Sequence, residues 1–305
     1  MSERPPQKDI DSKVLCSTIT KVPLQESGIK TLDAFLFEEN GKLNCYQRLE
    51  SPDDICEIAS GSGEKQLLLV ANCNKGIYEW ANIKSLTSAA DIYVNLEDEV
   101  REHPVMTSLQ IITAGKEAKA KLYPLRSEIV LRSLKCDFSG KPYQDELMTD
   151  IKIYLSYVNA SCSIIPSQRV MPSRIISAGI LDKQQLNRFK EKGIIWSEIA
   201  ESIGKETVQI NKSLFCYANE PTEESIGSPF TRLVIEGTIE GNTYYYPIKI
   251  NTGEGGIARG CRYIFDVILT RTGATNPDGE LAEEDAVIKM ELKKWKDKDW
   301  YTVSF

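Results

Sequence analysis

The feature that most constrains the fold of this chain is a repeated alternation of apolar and polar residues with a period of two. It occurs at 151–157, 233–239, 244–250 and 263–269, and the same segments are rich in β-branched and aromatic residues. Such alternation is typical of strands that bury one face and turn the other toward solvent. We therefore predict a mostly-β protein.

Turn residues separate the predicted strands. Asn40-Gly41 joins an apolar run at 32–37 to another at 43–46, and Glu240-Gly241-Asn242 joins two of the alternating segments. Asn and Gly tolerate the positive φ angles that tight hairpin turns require. Strands that follow one another through such turns favour a sandwich architecture.

Helical periodicity is confined to short segments. The three candidates are 82–87, 181–192 and 197–203, and the last two are each followed by a glycine. Glycine just after a periodic segment is a common end signal for a helix. The sequence thus predicts a few short helices among many strands.

A turn-rich stretch at 137–150 interrupts the alternating pattern and contains Gly, Pro, Asp and Ser. Stretches of this composition mark loops and domain boundaries. We predict two β-domains, residues 1–145 and residues 146–305.

Composition argues against several functional classes. Lys and Arg number 37 against 44 Asp and Glu, a net charge of −7, so a nucleic-acid-binding surface is not predicted. The one histidine, His103, has no Gly-x-Ser-x-Gly motif with it, which leaves no basis for a nucleophilic triad or a histidine zinc site. The glycine-rich segment 253–260 lacks Gly-Lys-Ser/Thr and is interpreted as a hairpin loop. We predict a protein that is not an enzyme and has no cofactor, metal or nucleic-acid partner.

The end of the sequence carries two further alternating segments, at 286–293 and 300–305. Their apolar residues are Ile288, Met290, Leu292, Tyr301, Val303 and Phe305. Apolar strands at a terminus either complete the protein's own sheet or add to the sheet of another subunit. The residues alone leave both alternatives open.

Several segments of the second half resemble the C-terminal signature of the fimbrillins, the structural proteins of type V pili on Bacteroidales outer membranes. The resemblance is carried by Tyr-Pro-Ile at 246–248, Gly-Ile-Ala-Arg-Gly at 256–260, the segment 265–273, Asn-Pro-Asp at 276–278 and Trp295. Weaker similarity in the first half lies at 32–41, 65–72, 104–107 and 122–134. The resemblance therefore extends over residues 14–305.

The resemblance implies two transthyretin-like β-sandwich domains with a few short helices, export as a lipoprotein, and a place in a fimbria at the outer membrane. In fimbrillins a surface protease removes an N-terminal strand, and the groove left behind accepts the C-terminal strands of another subunit. By this resemblance the removable strand is 14–24 and the donor strands lie within 286–305, with the six apolar residues named above as donor residues. The implied partners are other pilus subunits, in a self-polymer or a hetero-polymer, a maturing protease and a surface receptor.

One departure from the fimbrillin pattern concerns maturation. Shaft subunits of the family are typically cut after an arginine between the first two strands, whereas the stretch 23–30 contains no arginine. Lys21 and Lys30 flank it and form the candidate processing region, and an uncut anchor or accessory subunit is an alternative. The signal peptide and the lipid-bearing cysteine of the family are also absent near Met1, and we expect that the signal has been removed.

The leading interpretation is a structural pilus subunit that assembles by strand exchange and supports adhesion. The alternative is a monomeric surface adhesin, or a glycan-binding tip or anchor protein. Such a protein would use exposed aromatic residues such as Tyr244, Tyr245, Tyr246 or Trp300.

Overall fold

The computed structural model describes residues 29–50, 62–74, 80–114, 119–165, 174–253 and 255–294, together with the backbone of three further strands at Cys16–Thr18, Glu57–Ala59 and Tyr301–Ser304. Strands dominate this part of the chain, so the mostly-β prediction is confirmed. In chain order the strands are β1 (Cys16–Thr18), β2 (Leu32–Glu38), β3 (Leu43–Leu49), β4 (Glu57–Ala59), β5 (Glu64–Ala71), β6 (Tyr93–Asn95), β7 (Met106–Thr113), β8 (Lys119–Pro124), β9 (Arg126–Cys136), β10 (Thr149–Ser156), β11 (Val158–Asn159), β12 (Ser161–Ser163), β13 (Ile175–Ile176), β14 (Trp196–Ile199), β15 (Val208–Tyr217), β16 (Arg232–Ile239), β17 (Asn242–Lys249), β18 (Cys261–Leu269), β19 (Ala286–Lys294) and β20 (Tyr301–Ser304). The α-helices in the described residues are α1 (Leu86–Ala90) and α2 (Lys183–Lys192).

The largest sheet has six strands in the order β20-β8-β7-β5-β2-β3. Both faces of its central strands are buried: Phe35 on β2 packs into the main core, whereas Leu36 packs into a second cluster on the other face. This second core cluster consists of Ile29, Leu32, Ala34, Leu36, Leu49, Leu67, Leu69, Ala71, Met106, Ala120 and Leu122. A strand buried on both faces shows continuous rather than alternating hydrophobicity, which explains the unbroken apolar run at 32–37.

Two four-stranded sheets enclose the rest of the main core. Their orders are β15-β9-β18-β19 and β14-β10-β16-β17, and all pairings are antiparallel except the parallel pair of β9 and β18. Two-stranded sheets are formed by β1 with β4, β11 with β13 and β12 with β6. β9 precedes the predicted boundary at 145 and pairs with β15 and β18, which follow it. The division into domains 1–145 and 146–305 stays a prediction.

The predicted helix at 181–192 is confirmed as α2. The Asp182 carboxylate accepts a hydrogen bond from the Gln185 N–H at 2.8 Å, and Gly193 ends the helix in the left-handed region with φ +59°. A carboxylate at the N-cap and a glycine after the last turn satisfy backbone groups that a helix leaves unpaired. Both signals are local, which is why the sequence predicted this helix.

The other two helix predictions need correction. The helix predicted at 197–203 is wrong, because Trp196–Ile199 forms β14 and pairs with the edge of β10. The apolar spacing of Ile199 and Ile203 fits a helix, but Ile199 pairs with β10 and Ile203 bridges Met148, and both side chains are buried. These tertiary pairings prevail over local periodicity. The helix predicted at 82–87 is displaced, since α1 begins at Leu86 after the cap formed by Ser85.

Candidate assembly strands

β19, the first of the two predicted donor strands, is an edge strand. It pairs with β18 through nine consecutive residue pairs, from Cys261↔Lys294 to Leu269↔Ala286, without a register shift. It is the last strand of its sheet, so one neighbour holds it. An edge strand presents a row of backbone groups that a strand from another chain can pair with.

The apolar face of β19 is incompletely covered. Ile288 is 38% exposed, Leu292 is 42% exposed, and Met290 between them is partly buried. A groove of about 470 Å³ runs beside this face, between Ile288 and Met290 on one side and Pro247 on the other. The predicted residues Ile288, Met290 and Leu292 thus share one face of an accessible strand.

A charge ladder crosses the sheet and reaches β19. The Arg132 guanidinium on β9 donates to Asp266 Oδ1 on β18 at 2.9 Å and to Glu291 Oε2 on β19 at 3.1 Å. Ser133 Oγ donates to the same Asp266 oxygen at 2.7 Å. Bidentate arginine–carboxylate pairing fixes geometry as well as adding energy. The ladder therefore ties the register of β19 to that of β18 and β9.

Acidification should weaken this sheet. The Arg132 guanidinium, helped by Ser133, lowers the pKa of Asp266 from its ordinary 3.8 to about 2, and Lys289 faces the same carboxylate. A carboxyl whose folded-state pKa is depressed contributes stability above its unfolded-state pKa and loses it as pH falls through the folded-state value. We expect the urea midpoint of Asp266→Asn to be lower than that of the unsubstituted chain at pH 7 and to change less between pH 4 and pH 2. Urea unfolding across that range measures it.

The control for this prediction is Glu206→Gln, which alters an exposed surface carboxylate. Its unfolding midpoint should follow that of the unsubstituted chain at every pH. If the pH dependence of Asp266→Asn also runs parallel to that of the unsubstituted chain, the ladder does not stabilise the sheet.

β20, the second predicted donor strand, lies in a different sheet from β19. Its backbone pairs antiparallel with β8, with Tyr301 at the register position of Leu122 and Val303 at that of Ala120. Leu122 and Ala120 both belong to the second core cluster. The described residues do not include the side chains of Tyr301 and Val303 or any part of Phe305. Both C-terminal strands thus pair within their own chain in this structure, which leaves their donation to another subunit a prediction.

β8 pairs with only the first two residues of β7. β7 pairs with β5 over eight residue pairs, from Glu64↔Thr113 to Ala71↔Met106, but with β8 only at Met106↔Pro124 and Thr107↔Tyr123. From Ser108 to Thr113, no pairing with β8 occurs among the described residues, and Ile111 is 69% exposed. We call this side of β7 the open edge of β7.

The predicted processing region is described only in part. In the segment 14–24, the backbone of Cys16–Thr18 forms β1 and pairs with β4, and Lys21 lies outside the described residues. Lys30 is exposed, and its backbone N–H donates to Asn72 Oδ1 at 2.8 Å. Cleavage near these lysines stays a prediction.

The tyrosines considered for an adhesin platform are not exposed together. Tyr246 is completely buried and its hydroxyl donates to the Arg271 carbonyl at 2.7 Å, while Tyr244 and Tyr245 are partly buried. Trp300 lies outside the described residues.

The described helices include none long and apolar enough to span a membrane, and the described side chains include no group of three potential metal ligands.

Sequence reasoning did not find the ladder of Arg132, Asp266 and Glu291. Alternation alone placed Asp266 and Glu291 among the polar positions of their strands. Arg132 and Glu291 are 159 positions apart, so only the strand order and register bring them together. Opposite charges at polar positions of two predicted strands were the only available signal.

The chain matches known proteins at the level of family and fold. Residues 18–130 match the family model described as the major fimbrial subunit protein (FimA). The resemblance to fimbrillins is confirmed. The match supports a role of this fimbrillin-like chain in a pilus or in adhesion, and the family implies a cell-surface fimbria and assembly with other pilus subunits. Subunits of this family are structural and in general not enzymes.

Solved structures share the fold of this fimbrillin-like chain at low sequence identity. A proposed cell adhesion protein of Bacteroides eggerthii superposes with a TM-score of 0.69 at 16% identity, covering 88% of this chain and 89% of its own. A second such protein, from Parabacteroides distasonis, gives 0.64 at 14% identity and covers 92% and 98%. The fimbrilin (FimA) of Porphyromonas gingivalis gives 0.59 at 15% identity and covers 88% and 91%. No curated protein matches the chain.

Proposed function

We propose that this chain is a structural subunit of a cell-surface pilus that assembles by exchange of its C-terminal strands and supports adhesion. The observation that carries the proposal is β19, a regular edge strand whose apolar residues Ile288 and Leu292 stay about two-fifths exposed. Complete burial of these two side chains in a partner subunit would contribute about 1 kcal/mol each, in addition to the backbone pairing that an inserted strand gains.

An accepting surface is also needed, and the open edge of β7 supports one. Between Ser108 and Thr113, the backbone groups on the side away from β5 have no strand partner among the described residues. Ile111 on the same stretch is exposed. Addition of a strand there would pair these groups and extend the six-stranded sheet. In the proposal, removal of the segment 14–24 by a surface protease precedes acceptance of the donor strands.

The alternating faces of β19 give a direct test. Ile288 belongs to the apolar face, whereas Val287 beside it belongs to the face with Lys289, and Val287 is already 59% exposed. We expect Ile288→Lys to reduce fibre formation at least about ten-fold, because a lysine on the apolar face opposes burial in the acceptor. Fibres are counted by negative-stain electron microscopy after limited proteolysis of the segment between Val22 and Thr31.

The matched control is Val287→Lys, which introduces the same charge one residue away on the opposite face. It should form fibres as the unsubstituted chain does. Undiminished fibre formation by both variants would contradict a donor face centred on Ile288. Loss of fibres in both would also contradict it, because the whole strand, rather than one face, would then be sensitive to charge.

A further inference from the structure

Arg259 lies where the pairing of β7 and β8 ends. Its Nη2 donates to Thr107 Oγ1 at 2.7 Å and to the Tyr123 carbonyl at 3.3 Å, and its Nε donates to the Pro124 carbonyl at 3.3 Å. All three acceptors are uncharged. Among the described residues no carboxylate forms an ion pair with this guanidinium, and burial lowers the pKa of Arg259.

Within the part of the chain that the structure describes, Arg259 differs from the other enclosed arginines because no carboxylate pairs with it. The pairs that the others form are Arg48 with Asp33, Arg126 with Glu99 and Arg232 with Glu224. A charge removed from water is costly unless an opposite charge or strong hydrogen bonds compensate it. The guanidinium of Arg259 therefore has unused capacity to bind an anion.

A cavity of about 500 Å³ opens at this arginine. Sites for small organic ligands commonly occupy about 300–1,000 Å³ and combine apolar walls with a few polar groups. The side chains that give this cavity its chemistry are Leu109, Tyr123, Pro124, Glu220, Arg259 and Lys294. Two cations and one carboxylate thus line one cavity together with an aromatic ring.

We propose that this cavity binds an acidic sugar, a uronic acid or sialic acid residue of a glycan. Nη1 of Arg259 forms no hydrogen bond with the described residues, so it can donate to a carboxylate of the sugar, and Lys294 adds a second positive charge. The Glu220 carboxylate accepts hydrogen bonds, so it suits the hydroxyl groups of a sugar ring. The Tyr123 ring provides an apolar surface for the face of the ring.

Glu220 decides between a sugar and an acidic peptide segment. An acidic peptide segment brings further carboxylates close to Glu220, whose negative charge repels them. An acidic sugar supplies the carboxylate and the hydroxyl donors from one ring. The cavity is formed by a single chain and includes Leu109 of the open edge of β7 and Lys294 of β19. The proposal is therefore tested on the unpolymerised protein, in which both strands keep the positions described above.

The test is titration of the full chain with glucuronic acid and with N-acetylneuraminic acid, followed by ligand-observed NMR and calorimetry. We expect at least one acidic sugar to bind, and glucose and acetate to bind at least about ten-fold more weakly, because each lacks one of the two recognised groups. Binding of neither acidic sugar overturns the proposal. Equal binding of acetate overturns the assignment to a sugar, as does stronger binding of a glutamate-rich hexapeptide.

Substitutions of the lining residues test whether the acidic sugar binds in this cavity. Arg259→Gln, Glu220→Gln and Lys294→Ala are each expected to weaken binding of the acidic sugar, by at least about ten-fold for the first two. Because Arg259→Gln also removes hydrogen bonds to backbone carbonyls, thermal unfolding of each variant is measured. If Arg259→Gln does not fold, Glu220→Gln and Lys294→Ala still test the proposal. The matched control is Lys289→Ala on the opposite face of β19, which should bind as the unsubstituted chain does. Undiminished binding by Glu220→Gln and Lys294→Ala overturns the proposal.

Discussion

A chain truncated after Asp285 is expected to fold and to form no fibres. It lacks β19 and β20, the two strands assigned to donation. Ala286 is the one residue of β19 that is buried, so loss of this strand removes little from the main core. β18 keeps its pairing with β9, and the six-stranded sheet keeps β8, β7, β5, β2 and β3. Circular dichroism and thermal unfolding measure folding, and electron microscopy after limited proteolysis measures fibre formation.

Mixing experiments make this prediction sharper. The truncated chain retains the open edge of β7, so it accepts a donor strand but offers none. Added to the full chain at increasing ratio, it should shorten the fibres, because each incorporated copy ends growth at one end. A second truncation after Lys294 keeps β19 and removes β20, and it separates the contributions of the two strands.

The outcomes differ clearly between the alternatives. Fibres formed by the chain truncated after Asp285 would contradict a donor role for residues 286–305. The truncated chain could also fold, form no fibres and leave the fibres of the full chain at their normal length. That result would show that residues 286–305 are needed both for donating a strand and for accepting one. If the truncated chain does not fold, the comparison of Ile288→Lys with Val287→Lys still tests the donor face.

The strands were predictable from the sequence because their signal is local. The alternation at 151–157 corresponds to β10, and that at 263–269 corresponds to β18. The turn at Asn40-Gly41 also follows from local chemistry, since Gly41 adopts φ +79°. Each of these features depends on residues within a few positions of one another.

The pairing of the strands was not predictable in the same way. The parallel pair of β9 and β18 joins Glu128 to Arg262, and no local pattern encodes a contact over such a separation. The segment of β14 was predicted as a helix, because the sequence does not show that one side of β10 is available for pairing with it. The edge position of β19 and the placement of β20 in another sheet likewise depend on the complete topology.

The candidate sites also differ in whether local sequence patterns or the complete topology determine them. The apolar faces of the donor strands follow from a period of two, so Ile288, Met290 and Leu292 were predicted individually. The interpretation of 253–260 as a hairpin loop is wrong, because this loop connects β17 to β18, which lie in different sheets and do not pair with each other. The hydrogen bonds of Arg259 to β7 and β8 depend on this crossing between sheets, so the local pattern did not predict them. Predicting such a residue requires knowledge of which charges lie nearby.

Arg126→Met is expected to lower the free energy of unfolding by about 3–5 kcal/mol, because it leaves the buried Glu99 carboxylate without its cation. Glu99 is fully buried and lies 3.5 Å from Arg126 Nη1. The carboxylate also accepts hydrogen bonds from the Tyr217 hydroxyl at 3.1 Å and the Val105 N–H at 3.2 Å. Tyr217→Phe removes one of these and should cost less, about 1–3 kcal/mol. Urea unfolding at pH 7 measures both changes.

A double-mutant cycle separates the pair from its individual residues. The double variant Glu99→Gln/Arg126→Met removes both charges and should be more stable than the sum of the single changes predicts, because no unpaired charge remains buried. A loss below about 1 kcal/mol for Arg126→Met, or strictly additive losses, would contradict a coupled pair. Glu99 precedes β7, which has the open edge, while Arg126 begins β9, which pairs with the strand that holds β19. The Glu99–Arg126 pair therefore joins the segment that precedes β7 to the first residue of β9.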